Sequence, residues 1–355
     1  MDRLRLCFSE VRADVILVTH LPNIFYLTGF SGSAGLLLVE PEKGLLLIDS
    51  RYTFQAREEV SGVGVQTVKN GLLRGAGHAI SKILHRGRVS VAYSPDQLTI
   101  AQKQALEAAT GDKVRWVPVS GLVEKLRSIK DADELGRMRQ AAELISRTFC
   151  DVVGMIRPEV TELELAAEIE YRMKRFGASG PSFETIVASG PRSAWAHARP
   201  TAKPLKKNEL VVLDQGAILR AYCSDMTRTV FLGRSSQKVR RMYRAVLEAQ
   251  EAAKNAIRPG VAAEAPDAAA RKVLKKYGLD RFFTHSTGHG LGLEVHETPR
   301  LGKSERSTLE TGMVVTVEPG VYLEGFGGIR IEDDVVITSK GAQDLTTAPR
   351  ELLEL

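Results

Sequence analysis

The sequence predicts two domains of different class, a layered α/β domain at 1–127 and an α+β domain at 128–355. Three observations point there. The chain has 355 residues, more than one domain usually holds. Its first part alternates short apolar runs with amphipathic segments, the rhythm of strands and helices in layered α/β proteins. Near residue 129 the texture changes to long amphipathic helices and strand pairs that carry acids.

In the first domain, strand-like runs fall at 14–20 (DVILVTH), 35–40, 44–50, 63–68, 88–94 and 114–119. Helical periodicity predicts helices at 52–60, 75–86 and 99–109, which would cover a largely buried sheet. The boundary falls at 125–130. Asp131 with Glu134 three residues later is a capping-box signal, and it opens a helix to about 156. Thr161 with Glu164 repeats it and opens a helix to about 177. Strands are predicted at 183–189, 209–218, 221–232, 312–323 and 329–338, with helices at 236–257 and 266–277.

A hydrophobic fraction of 43% suits a sizeable core. No run approaches the roughly 20 apolar residues of a membrane helix, and the opening MDRLRLCFSEVRADV does not read as a signal peptide. Cys7, Cys150 and Cys223 lie far apart without metal-type spacing, so reduced thiols and a cytoplasmic location are expected. The net charge of +6 comes from 49 basic and 43 acidic residues. Basic stretches such as KVRRMYR (238–244) read as solvated helix faces, and no aromatics interleave with a basic run. Neither nucleic acid nor membrane is an expected partner.

The stretch VVLDQGAILRAYCSDMTRTV (211–230) sets Asp214 and Asp225 among strand-forming, core-type residues. A buried carboxylate loses its hydration, at a cost of several kcal/mol unless something positive replaces the water. If Leu219-Arg220 forms a two-residue turn, Asp214 lies opposite Asp225, with Cβ atoms about 4.5–5.5 Å apart. The turn is not of the favoured Asn-Gly type. Two carboxylates that close need a shared proton or a cation. Residues 312–338 repeat the theme, with Glu318 on one apolar strand, Glu332 on the next, and Gly325 central to the loop. In THSTGHGLGLEVHE (284–297), glycines at 288, 290 and 292 argue against a helical zinc motif and place His289 on extended backbone. Singly, each residue has an ordinary reading as a surface acid or loop histidine. Jointly, two acidic hairpins and a histidine-rich loop point to two divalent metal ions, manganese first, with cobalt or zinc as alternatives.

The combination of LDQGA (213–217), CSDMTRT (223–229), GHGLGLEVHE (288–297), TVEPG (316–320) and GGIRIEDD (327–334) resembles the pita-bread metallopeptidases. Within them it is similar to the creatinase, prolidase and aminopeptidase P group. NIFYLTGFSGSAGLLLV (23–39) and DSRYTFQA (49–56) resemble that group's creatinase-like N-terminal domain. Gln215 departs from the pattern at a usually apolar position, and strand alternation points it off the ligand face. The resemblance implies five metal ligands: Asp214, Asp225, His289, Glu318 and Glu332, with Asp225 and Glu332 bridging. It implies that a hydroxide held between the two ions attacks a peptide carbonyl, with Glu318 as general base. His197, in SGPRSAWAHARP (189–200), His285 and His296 would contact substrate and oxyanion. Arg330, two residues before Glu332 and on its face, would brace a ligand or engage a substrate carboxylate. Cys223 would be packing. The first expectation is an Xaa-Pro aminopeptidase acting on peptides with proline in second position. An Xaa-Pro dipeptidase is the alternative, and a metal-free amidinohydrolase or a non-catalytic binding module stands well behind. A homodimer is expected from the family alone.

Overall fold

The structure, a computed structural model, describes residues 1–83 and 87–355. It comprises two compact units, Met1–Arg127 and Ser128–Leu355. No helix among the described residues is long and apolar enough to cross a membrane.

The first unit is built on β1 (Val15–Val18), β2 (Gly35–Val39), β3 (Gly44–Ile48), β4 (Gly64–Thr67), β5 (Val89–Tyr93) and β6 (Val114–Pro118). They form one mixed sheet in the order β4-β3-β2-β1-β5-β6. Both faces are buried, and alternation shows how. Val15, Leu17, Leu36, Leu38 and Leu47 enter one core, while Ile16, Val18, Leu37, Leu46 and Ile48 enter the other. The helix expected at 75–86 starts earlier, at Leu72, and runs to Ile83; residues 84–86 lie outside the described residues. A helix at Leu21–Thr28 was not anticipated, because its eight residues are too few to establish a 3.6-residue period.

In the second unit both capping boxes form. The helix Ala132–Val152 starts at Asp131, whose carboxylate accepts from the Glu134 amide at 2.9 Å while Glu134 accepts from the Asp131 amide. Thr161 and Glu164 do the same for Glu162–Arg175. Two further helices run Gln237–Ala256 and Glu264–Lys276. The strands are β7 (Gly180–Pro181), β8 (Ile186–Ser189), β9 (Glu209–Gln215), β10 (Ala217–Leu219), β11 (Tyr222–Cys223) and β12 (Met226–Leu232). They continue with β13 (Gly288–Gly290), β14 (Glu297–Leu301), β15 (Val314–Val317), β16 (Gly320–Leu323), β17 (Gly327–Arg330), β18 (Asp333–Thr338) and β19 (Gly341–Asp344). An exposed turn around Lys303 and Ser304 leads from β14 towards β15.

One face of these strands packs on helices. Val211, Leu213, Met226 and Val230 join residues of the first two helices in one core. Val315, Val317, Ile329, Ile331, Val335 and Ile337 join the later two helices in another. The residues one step out of phase point the other way: Asp214, Asp225, Thr227, Glu318, Arg330 and Glu332. The helices thus determine which side chains are left to face inward.

The first acidic hairpin departs from the expected register. Leu219 pairs with Tyr222 and Ile218 with Cys223, so the turn is Arg220-Ala221 and Asp214 lies opposite Thr227, not Asp225. Both turn residues have positive φ, 50° and 72°, as a type I′ turn requires. Left-handed backbone costs a non-glycine residue about 1–2 kcal/mol. In return Leu219 packs against the core and Arg220 takes the exposed tip. The shift is two residues, so both acids keep the same face.

Candidate metal centre

A cavity of about 360 Å³ in the second unit is lined by Asp214, Asp225, His289, Glu318 and Glu332, together with His197, His296 and Arg330. His285 is not among the lining residues. The tightest grouping is Asp225, His289 and Glu332, whose ligand atoms all lie within 4.8 Å of one another. Glu318 adds an oxygen 3.5 Å from His289 Nε2, and Asp225 Oδ2 lies 3.7 Å from the same nitrogen. Glu318 and Glu332 oppose one another, since the pairs Val317–Asp333 and Gly320–Arg330 bracket them in one hairpin register.

Close backbone packing aims His289. β13 is hydrogen-bonded to β14 on one side and β15 on the other. A Cβ on Gly288 would come within 2.0 Å of the Thr316 carbonyl oxygen, and one on Gly290 within 2.4 Å of the Thr298 oxygen. Both flanking positions therefore demand glycine. His289 Nδ1 lies 3.0 Å from the Gly290 carbonyl, which can only accept, so Nδ1 bears the proton and the Nε2 lone pair faces the cavity.

The acids are also held. Arg330 donates through Nη2 to Asp214 Oδ2, through Nε to Thr227 Oγ1 at 3.0 Å, and through Nη1 to Tyr322 Oη at 2.7 Å and the Ala196 carbonyl at 3.1 Å. Thr227 Oγ1 donates to Glu332 Oε2 at 2.6 Å. Asp214 Oδ1 is buried with no partner among the described residues, which leaves its lone pairs available to a cation.

Burial, then the neighbouring Glu332 and Asp214 charges, push the Asp225 carboxyl well above its ordinary range. Glu332 is pushed up in the same way by burial and by Glu318 and Asp214. Burial raises Glu318 to about 7 against the opposing pull of Arg330. One guanidinium thus faces four carboxylates, Asp214, Asp225 and Glu332 buried and Glu318 part-exposed. Burial also lowers His289 to about 4, which keeps it neutral and able to ligate. Four carboxylates and one neutral imidazole fit a hard divalent cation.

His296 stacks edge-on against His289, with ring centroids 4.4 Å apart. His285 sits behind Glu318, its Nδ1 3.9 Å from Oε2. Its Nδ1 donates to the Ser286 carbonyl at 2.7 Å, and its Nε2 accepts from Tyr322 Oη at 2.8 Å. Tyr322 was not singled out from sequence. Alternation from Glu318 through Gly320 was the available signal, and a Cβ on Gly320 would strike its hydroxyl at 2.5 Å. Thr227 was missed with the register. Cys223 packs with Leu291 and Val314, away from the cavity lining. Gln215 is fully buried, and neither amide atom has a partner among the described residues.

Residues 136–339 match metallopeptidase family M24, and residues 1–129 match the Creatinase/Prolidase N-terminal domain. The uncharacterized peptidase YqhT of Bacillus subtilis is 38% identical over 355 residues, covering 100% of this chain and 99% of its own. Among solved structures, the Xaa-Pro dipeptidase from Bacillus anthracis superposes with a TM-score of 0.95 at 38% identity, over 99% of this chain and 98% of its own. The X-Pro aminopeptidase from Thermotoga maritima MSB8 superposes with a TM-score of 0.89 at 36% identity, over 98% of this chain and 99% of its own.

Proposed function

The chain belongs to metallopeptidase family M24, and from that premise we propose that it is an Xaa-Pro dipeptidase, with Xaa-Pro aminopeptidase as the second reading. It combines a creatinase-like N-terminal domain with a pita-bread catalytic domain, and it is a metal-dependent peptidase. The sequence alone put the aminopeptidase first. More of the similar proteins are named dipeptidase or prolidase than aminopeptidase, which favours the alternative.

The observation that carries the proposal is the largely buried set of four carboxylates around a neutral His289, balanced by a single arginine. Asp214, Asp225, His289, Glu318 and Glu332 would hold two divalent cations, manganese first and cobalt or zinc as alternatives. When bound, such ions polarise a peptide carbonyl and lower the pKa of water. Glu318, on the cavity wall beside His289, would take a proton from the attacking water and deliver it to the leaving nitrogen. His197 and His296 on the cavity wall would hydrogen-bond the substrate carbonyl and the oxyanion. His285 would act from behind, orienting Glu318 and Tyr322. Arg330 holds Asp214 in place, and its one uncommitted Nη2 hydrogen could reach a substrate carboxylate. Proline suits such a site because an Xaa-Pro bond is a tertiary amide without N–H, and nothing here depends on gripping that N–H.

The test is to strip the protein with chelator, reload it with manganese, cobalt or zinc, and compare hydrolysis of Ala-Pro with Ala-Pro-Ala. Cleavage of the dipeptide alone is expected. Cleavage of the tripeptide after alanine would establish the second reading, and cleavage of neither with metal bound would refute both. Metal content at full activity, expected at two ions per chain, tests the paired site.

A further inference from the structure

We infer that Glu162 is a positioning residue that clasps both stems of the 189–201 segment and so holds His197 at the cavity. The capping box at the start of its helix uses Glu164, so Glu162 takes no part in the cap. Its side chain is fully buried all the same. Oε1 accepts from the Ser189 amide at 2.9 Å and the Ser189 hydroxyl at 2.8 Å. Oε2 accepts from the Thr201 amide at 3.1 Å, the Thr201 hydroxyl at 2.8 Å and Arg192 Nε at 3.1 Å. Every partner is a donor, so an ionised carboxylate is the group that satisfies them all. The helix start adds to the anchor, since the amides of Glu162 and Leu163, unpaired within the helix, donate to the Lys203 and Thr201 carbonyls.

Between these stems Gly190–Ala194 forms one short 3₁₀ helix, and the rest of the segment is irregular. Trp195 and Ala198 amides make short local turns, and Ser193 Oγ accepts from the Gly328 amide at 2.9 Å. Beside His197, the Ala196 carbonyl accepts from Arg330. His197 itself lines the cavity. Its place is therefore set by the Gly328 and Arg330 contacts to Ser193 and Ala196, by the Arg192 hydrogen bond to the Arg199 carbonyl across the segment, and by Glu162 at both ends. A displacement of about 1 Å at such a group can lower turnover 10²-fold. The reading of His197 as a substrate contact rests on the proposed function; the clasp itself is judged independently of activity.

The test uses the metal-loaded full chain. Glu162→Gln keeps the shape but turns an N–H2 group towards donors. Amide exchange read by mass spectrometry should speed up across 189–201 and stay unchanged across 237–256. On Ala-Pro, Glu162→Gln should lower kcat/KM by about 10²-fold, yet change it less than about threefold in a His197→Ala background, because the two act through one group. Unchanged exchange across 189–201 would overturn the clasp. Equal losses in both backgrounds would overturn its action through His197. If Glu162→Gln fails to fold, Ser189→Ala and Thr201→Val each remove one hydroxyl donor and face the same two criteria. A wild-type chain inactive on Ala-Pro would refute the proposed substrate, and the exchange result would still decide the clasp.

Discussion

Three consecutive acids, Glu332, Asp333 and Asp334, meet three different surroundings. Glu332 faces the cavity and accepts from Thr227. Asp333 points the other way, fully buried against Arg228 at 2.8 Å and Arg350 at 2.6 Å, and these cations help hold its carboxyl down at about 2 despite its burial. Asp334 accepts from the Asp225 amide at 3.0 Å and is pushed well up by burial. Activity and stability should therefore separate by residue. Glu318→Gln should lower kcat by roughly 10²–10⁴-fold with the circular dichroism spectrum unchanged; near-wild-type turnover would remove Glu318 from the mechanism. Asp333→Asn should instead destabilise by about 3–5 kcal/mol in urea, because it leaves the buried Arg228 without its counter-charge. Arg330→Lys keeps the charge but loses the fork that grips Asp214, Thr227 and Tyr322 at once. It should weaken metal binding by about 10–100-fold, read by titration of the stripped protein. Alternation along the strands was enough to put Glu318, Arg330 and Glu332 on one face. It could not show that Arg228, 105 residues before Asp333, would be its partner.

At the level of elements, helix starts and most strands were legible, because Asp131, Thr161 and the apolar runs act locally. The hairpin register was not. Its turn uses two non-glycine residues at positive φ, a conformation their identities do not advertise. The expected likeness of the two acidic hairpins holds for facing and fails for pairing. Glu318 opposes Glu332, whereas Asp214 opposes Thr227 and Asp225 lies two residues along the strand. Between them, Gly216 has no freedom to change, since a Cβ there would lie 2.0 Å from Ser182 Oγ and 2.2 Å from the Ser224 oxygen. Gln215 has the opposite character. Its amide is buried on the helix-packed face beside Leu213 without a partner among the described residues, so Gln215→Met should raise stability by about 1–3 kcal/mol. The urea midpoint should move up at constant slope; an unchanged or lower midpoint would mean that the amide is satisfied after all.

For the molecule as a whole, the acid cluster ties stability to pH and metal together. Without metal, the folded protein keeps protons on Glu318, raised to about 7, and on Asp225 and Glu332, raised well above their ordinary range chiefly by burial. The unfolded chain has released them. The stability each contributes is fully present below about 4 and is lost as pH rises towards its folded value, about 7 for Glu318, at about 1.4 kcal/mol per unit for each carboxyl still protonated. His285 and His289, lowered to about 4 chiefly by burial, act in the opposite sense. Their contribution is present above about 6.5 and is lost as pH falls towards 4, so it offsets part of the carboxylate trend between about 4 and 6.5 and leaves the decline unopposed from about 6.5 to 7. Urea melts in chelator should show the decline, and added divalent metal, which binds the deprotonated acids, should reverse its sign. A flat or rising chelated profile between about 6.5 and 7 would contradict the cluster's electrostatics. The exposed turn around Lys303 and Ser304 carries a further consequence. A single protease cut there would leave Asp214, Asp225 and His289 on one fragment and Glu318 and Glu332 on the other. The two pieces would stay zipped through β13 and β15 and through their shared core, and the metal would become a rivet joining them.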